Sequence, residues 1–310
     1  MVFRPSARQL EYFLALAEVG HFGAAARRCN VSQPTLSAQF KLLEDQLGVS
    51  LIDRGGGIAA LTPAGAALVP LARQAIETLD EIVAVASVRR GGLGGLIRLG
   101  VAPTFGPYFM PHLLPHLKQK YPDLDIYIRE ERPILLSREL QSGGLDCVLA
   151  PAPLSLDQAA SVVICSEELM LGLPVDHRLA DRPVILLEDL DGEGLLSLGQ
   201  GYQLYQDGQT LCQISGARLL EDYEGTSLDA LRQMVSIGMG LALFPAGYIA
   251  SEFVKEQRVV LKPIEKFPMV RDVILAWRKN STRADHFQTL ALTARMVAGN
   301  LEIAGMTSGA

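Results

Sequence analysis

The chain has 310 residues, about twice one folding unit, so two or three domains are expected. With 49% apolar and 20% charged residues it is too apolar for a disordered polymer. It has no apolar run of the roughly 18–20 residues a membrane helix requires. The N-terminal MVFRPSARQLEYF lacks the apolar core of a signal peptide, so a cytoplasmic location without membrane attachment is expected. The net charge of −6 argues against unspecific coating of nucleic acid. Residues 1–95 hold nine Lys/Arg against eight Asp/Glu, and the rest 19 against 26. Any nucleic-acid role therefore belongs to the N-terminal third and depends on placed contacts.

Leu10, Phe13, Leu14 and Ala17 repeat as one buried helix face, which Gly20 ends. HFGAAARRC (21–29) reads as a second, short helix. Ser32 can cap a third, with Pro34 tolerated in its first turn and Leu36, Phe40, Leu43 and Leu47 inward. Two helices joined by a tight turn, the second polar outside, match the helix-turn-helix plan for reading a major groove. Glutamine pairs with adenine edges, and Ser, Thr and Lys reach phosphates or bases. SLIDRGGGIAALTPAG then reads as a β-wing carrying Arg54. Thr62 and Pro63 open a long helix to about Val88, whose seam of Leu68, Leu71, Ala75, Leu79, Ile82 and Ala86 suits a partner helix. Pro70 should kink that helix. Arg89–Gly95 is a glycine-rich hinge.

On LEYFLALAEVGHFGAAARRCNVSQPTLSAQFKLLEDQLGVSLIDR followed by LTPAG, the chain resembles the LysR-type transcriptional regulators. The resemblance implies double-stranded DNA as partner, with Ser32, Gln33, Pro34, Thr35, Ser37, Gln39, Lys41 and the wing Arg54 as contacts. It further implies a homodimer through the long helix, a homotetramer, and an interrupted inverted repeat as operator. RNA polymerase stays open as a further partner, and so does the choice between activator and repressor. The wing here reads Arg54-Gly55-Gly56-Gly57-Ile58 where relatives carry further basic residues, which weakens the expected phosphate contacts.

From Leu96 apolar strands alternate with helices. Strands at 96–102, 124–130 and 145–151 with helices between them predict a parallel sheet, whose ligands bind beyond the strand carboxyl ends. Thr104, at such an end, can offer its hydroxyl to an anion or serve only as a cap. A second unit repeats the theme with strands at 194–203, 219–225 and 240–246 and helices near 206–215 and 227–238. A strand at 270–279 and a helix near 283–301 follow. Crossings near 165 and 268 then give two lobes around a cleft, similar to bilobed solute-binding proteins and to the LysR-type effector domain. The expected architecture is an α/β chain: a winged helix-turn-helix (1–62), a linker helix and hinge (63–95), and a two-lobed, Rossmann-like effector domain (96–310). Lobe I takes 96–165 with 268–310, and lobe II takes 166–267. Cleft candidates for a small-molecule effector are Pro103, Thr104, Tyr202, Gln203, Thr226, Ser227 and Pro245.

Within these regulators the C-terminal part is most similar to the OxyR-like, peroxide-sensing branch, on PTFGPYFMPHLLPHL, LQSGGLDCVLA, ARLLEDYEGTSLDALRQMVSIGMGLALFPA and the strand ending in Trp277-Arg278. That branch uses two cysteines nine positions apart. The resemblance places Cys212 at the resolving position and Gln203 at the attacking one, after Tyr202 where relatives carry histidine. Glutamine forms no thiolate, so the branch is represented here without its peroxidatic cysteine. Two mechanisms stay open: a small molecule in the cleft, or a redox switch pairing Cys212 with Cys147 or Cys165. The strand position of Cys147, Glu167 and Glu168 beside Cys165, and the helix end at Cys212 all disfavour a thiolate. No cofactor or metal is expected. His112 and His116 lack a third ligand, and no GxSxG or P-loop is present, so an enzyme or a solute-binding protein is the weaker alternative.

Overall fold

A computed structural model describes residues 3–53, 59–88, 93–156, 158–265, 267 and 269–309. The expected wing tip with Arg54 and most of the hinge (89–92) lie outside the described residues. The chain divides into two compact units, one of Met1–Gly95 with Ser142–Gly144, the other of Leu96–Gln141 with Leu145–Ala310.

In the first unit, α1 (Ala7–Val19) starts in a capping box between Ser6 and Gln9 and stops at Gly20 in the left-handed region, the two ends a helix needs satisfied. Next come α2 (Phe22–Arg28) and α3 (Gln33–Leu47), where Ser32 accepts from Thr35 N and Gly48 ends the helix left-handed. Phe13, Leu16, Leu36, Phe40 and Leu43 are fully enclosed in their common core. The short strands β1 (Ile52–Asp53) and β2 (Ala60–Leu61) pair antiparallel. Glu44 fastens β1 to α3 by accepting from Leu51 N at 2.7 Å. α4 (Pro63–Val88) continues across Pro70. Thr62 Oγ1 accepts from Gly65 N at 3.0 Å, and Gly65 packs so tightly on Leu51 that a Cβ there would fall on the Leu51 carbonyl.

The second unit runs β3 (Gly95–Val101), α5 (Gly106–Lys120), β4 (Leu124–Glu130), α6 (Pro133–Gln141), β5 (Cys147–Pro151) and β6 (Ala159–Pro174), then β7 (Gly194–Leu195), α7 (Gln203–Ser215), β8 (Arg218–Leu219), α8 (Leu228–Ser236), β9 (Ala242–Pro245), α9 (Ala246–Glu252) and β10 (Val259–Lys262), and returns through β11 (Met269–Arg278), α10 (Ala284–Gly299) and β12 (Met306–Ser308). One sheet runs β10-β6-β11-β5-β3-β4, with β9 and β12 also on β6. β3 and β5 are parallel. The two chain crossings are themselves strands: β6 and β11 pair antiparallel over ten residues, with a register shift at Val273/Ile274.

The second half of this unit has less sheet than the sequence suggests. The expected strand at 194–203 shrinks to β7, and that at 219–225 to β8, a parallel pair of two residues each. Isolated bridges at Leu195↔Leu241 and Leu198↔Gly225 extend the pairing. The segment Gly199-Gln200-Gly201 turns instead, with Gly201 at φ +95°, and α7 begins at Gln203. A separate core of Leu171, Leu173, Leu211, Leu231, Val235, Phe244 and Tyr248 fills this lobe.

Candidate functional site

On α3, Ser32, Gln33, Pro34, Thr35, Gln39 and Lys41 are exposed and Ser37 half-buried. All lie outside the enclosed stripe of Leu36, Phe40 and Leu43, with Pro34 and Lys41 opposite it and Gln33 and Gln39 on its flanks. Ser32 and Thr35 also hold the helix start, their hydroxyl oxygens 2.7 Å apart, so these two shape the helix as well as face outward. Gln33 lies over α2, where a Cβ on Gly23 would come within 3.1 Å of its Oε1. A short, sterically open approach at Gly23 thus sets the position of the first polar side chain of α3. On α4, Ala72 and Ile76 are buried against the small domain, whereas Leu71 and Ile82 stay 62% and 61% exposed and Leu79 43%. Ala75 is exposed and Leu68 half-buried; the side chain of Ala86 lies outside the description.

In the second unit, Arg271 on β11 pairs with Glu167 on β6 in register. Its guanidinium donates to Glu167 Oε1 from Nε at 2.8 Å and from Nη2 at 2.5 Å. It also donates to Thr104, Nη1 to Oγ1 at 3.3 Å and Nη2 to the carbonyl at 3.0 Å. Glu167 Oε2 accepts from Gly247 N at 3.2 Å. The two charged side chains are only 2% and 1% exposed. A buried pair persists only when its remaining donors and acceptors are met, and here Thr104 and Gly247 meet them. The clamp ties the turn after β3, both crossing strands and the start of α9.

Past the end of β5, the edge of β11 faces α7. There a cavity of about 530 Å³ is lined by Ala152, Pro153, Gln203, Asp207, Val270, Arg271 and Asp272. Gln203 Nε2 donates to Asp207 Oδ1 at 3.2 Å, while Asp207 Oδ2 is enclosed without a hydrogen-bond partner. Burial pushes the Asp207 carboxyl up, against the Gln203 hydrogen bond and the Arg271 charge, which act to lower it. A smaller adjoining space of about 70 Å³ touches Tyr202 and Gln203 beside Ile134 and Ser137. Buried Tyr202 donates to the Thr226 carbonyl at 3.2 Å.

Of the expected cleft residues, Gln203 lines the larger cavity, Tyr202 borders the smaller, and Thr104 is held by Arg271 in its wall. Thr226 joins only through its carbonyl. Ser227 caps α8 by accepting from Ala230 N at 3.2 Å, and Pro245 is buried before α9, paired with Leu169. Pro103 is half-buried beside Thr104. Thr104 is buried, and its hydroxyl oxygen accepts from Arg271, which ties it to the ion pair in the cavity wall. Asp207, Arg271 and Glu167 were missed. Their signals were the i,i+4 spacing of Gln203 and Asp207, and two adjacent charges inside each apolar run, VICSEELML and VRDVILAW.

All four cysteines are free. Burial and Asp146 push the Cys147 thiol well up, burial and Glu167 push Cys165 up to about 12, and burial pushes up Cys212 and Cys29. Cys147 and Cys165 sit on strands separated by β11, opposite Trp277 and Val273 respectively. Two strand spacings, roughly 9.6 Å, already exceed the roughly 7 Å limit for a disulfide. Cys212 lies in the last turn of α7, its carbonyl accepting from Gly216 N, packed against the second lobe's core.

Residues 7–66 match the bacterial regulatory helix-turn-helix protein family of LysR type, and residues 90–297 match the LysR substrate binding domain. The chain belongs to the LysR family of DNA-binding transcriptional regulators, a family of regulators and not of enzymes. It is 37% identical over 291 residues to the DNA-binding transcriptional dual regulator OxyR of Escherichia coli K12, covering 93% of this chain and 95% of the relative. It is 35% identical to the hydrogen peroxide-inducible genes activator of Dickeya chrysanthemi, over 93% and 94%. Among solved structures, full-length OxyR of Pseudomonas aeruginosa with a cysteine-to-aspartate substitution superimposes with a TM-score of 0.72 at 30% identity, over 94% of this chain and 98% of that one. The peroxide-bound cysteine-to-serine variant of Corynebacterium glutamicum OxyR gives 0.63 at 30% identity, over 95% and 94%. This regulator is therefore OxyR-like. No described helix is long and apolar enough to cross a membrane.

Proposed function

We propose that this LysR-family regulator is controlled by a small molecule bound in the cleft of its second unit, and that it lacks the attacking cysteine of the OxyR-like branch. The carrying observation is the cavity between α7 and the β11 edge, lined by Gln203. Two further observations support the reading. Cys147 and Cys165 are too far apart to bridge, and an unbroken helix of nine residues' rise, roughly 13.5 Å, separates position 203 from Cys212. Closure of the lobes about β6 and β11 would carry the signal. Lobe I is 96–165 with 268–310 and lobe II is 166–267. Residues 1–62 bind an interrupted inverted repeat through the α3 face and Arg54, and 63–95 join two protomers through α4, with tetramers as dimers of dimers. Activation is inferred from the relatives' role as gene activators.

Thiol counting by mass spectrometry on purified protein, before and after stoichiometric peroxide, tests the sensing mechanism. All four cysteines should remain reduced, and Cys212→Ser should bind its operator as wild type does with or without peroxide. Rapid closure of a specific pair containing Cys212 would replace the cleft mechanism by a redox one.

A further inference from the structure

We infer that the ligand of this cleft carries a positively charged nitrogen, an ammonium or amidinium group, seated against Asp207 and Gln203 at the start of α7. The inference rests on the effector-controlled reading above and adds the ligand's chemical class.

The cavity, about 530 Å³, is in the range that accepts small molecules. Arg271 in its wall has the look of an anion receptor, but its charge is spent. Glu167 neutralises it at 2.5 Å, Thr104 takes two further hydrogen bonds, and neither ion has appreciable exposure. Among the described lining residues the charged side chains left are Asp207, half-buried, and Asp272, exposed. Asp272 Oδ1 accepts from the neutral Ser166 hydroxyl at 2.5 Å, and Asp207 Oδ1 from the neutral Gln203 amide. Among the described residues neither carboxylate has a cation within salt-bridge distance.

Among the described residues, an acid entering this space would meet the carboxylates of Asp207 and exposed Asp272 and no cation outside the Arg271–Glu167 pair, so like charge opposes it. A cation gains from the same field. An opposite charge within about 4–6 Å favours an ionised carboxylate without direct contact, so a bound ammonium serves Asp207 even though Oδ2 itself is enclosed. The Gln203 carbonyl adds an acceptor for its N–H groups.

Three probes with one skeleton test the class on the full chain by calorimetric titration at neutral pH: 3-phenylpropylamine, 3-phenylpropionamide and 3-phenylpropionate. The amine should bind at least tenfold tighter than the acid, with the amide between them. Asp207→Asn, checked for an unchanged circular dichroism spectrum, should remove that preference. Equal or tighter binding of the acid, an amine preference that survives Asp207→Asn, or no binding by any probe would each overturn the ligand class. Gln203→Trp, which crowds the cavity, reports on the cleft independently. A changed operator footprint in that variant keeps the effector reading even if the probes fail, and an unchanged footprint removes it.

Discussion

Asp207 is a carboxyl with one oxygen bonded to Gln203 and the other enclosed without a partner. Its folded pKa is raised, chiefly by burial. A raised carboxyl contributes fully to stability below its unfolded pKa of about 3.9. That contribution is lost as pH rises through the higher folded value, because ionising the enclosed group is then costlier folded than unfolded. Asp207→Asn keeps an acceptor for Gln203 and removes the charge. Urea unfolding should show the variant gaining on wild type as pH rises from below about 3.9 through the raised folded value, with the margin level above it. A margin constant with pH would mean the carboxyl is not the source. On α3, we propose that the exposed Gln33 amide reads an adenine edge. Gln33→Ala should lower specific operator affinity by about 1–3 kcal/mol while leaving affinity for unrelated DNA nearly unchanged, as measured by competition binding at fixed salt. An equal loss on both DNAs would assign the side chain to the phosphate backbone.

Among the elements, α4 carries two faces with different fates. Ala72 and Ile76 close the small domain's core, and Leu71, Leu79 and Ile82 remain in solvent. Removing one such aliphatic side chain from water is worth about 1.5–3 kcal/mol, and a self-complementary seam collects that gain from both copies. Leu71→Glu with Ile82→Glu should therefore yield monomers in analytical ultracentrifugation, with α1–α3 intact by circular dichroism. An unchanged oligomer would move the subunit contact elsewhere. Which elements were legible follows the same logic of faces. α1 and α3 have one buried stripe, a capping serine and a terminal glycine, and the sequence displays all three. β4 alternates half-buried and exposed positions over 124–128, the period a strand shows when one face is covered. β6 is covered on both sides in part and changes the packing of its faces along its 16 residues, so AASVVICSEELMLGLP shows no single period and only a crossing could be read near 165. The strands at 194–203 and 219–225 were overread because apolar leucines there serve a core between helices rather than a ladder. The site was legible where a residue's own chemistry was decisive, as at Gln203. It was illegible where two distant residues had to meet: only the pairing of β6 with β11 brings Glu167 to Arg271, and that pairing is what neutralises the arginine in the cavity wall.

For the whole molecule, charge is divided unevenly, with a near-neutral N-terminal third and an acidic remainder. Part of the positive charge in the small domain is already engaged: Arg28 and Arg73 pair with Glu18 at 2.6 and 3.1 Å, and Arg8 donates to Tyr12 at 3.1 Å. Among the described residues, exposed Arg4, Arg27 and Lys41 carry no such ion pair, and of the cations available we propose Lys41 and Arg54 as the two phosphate contacts. Each phosphate neutralised contributes about −0.9 to the slope of log affinity against log salt. Two per protomer would give a dimer a slope of about −3.6, shallow for a sequence-specific regulator. Binding would then draw more on base contacts from Gln33, Ser37 and Gln39 and less on counterion release. Operator affinity measured between 50 and 200 mM salt (about a fourfold range) should fall by roughly 150-fold for a dimer with that slope. A loss many times larger would show that further cations reach the DNA. Lys41→Ala should flatten the dimer's slope by about 1.8, one phosphate from each protomer, and an unchanged slope would exclude Lys41 from the backbone contacts.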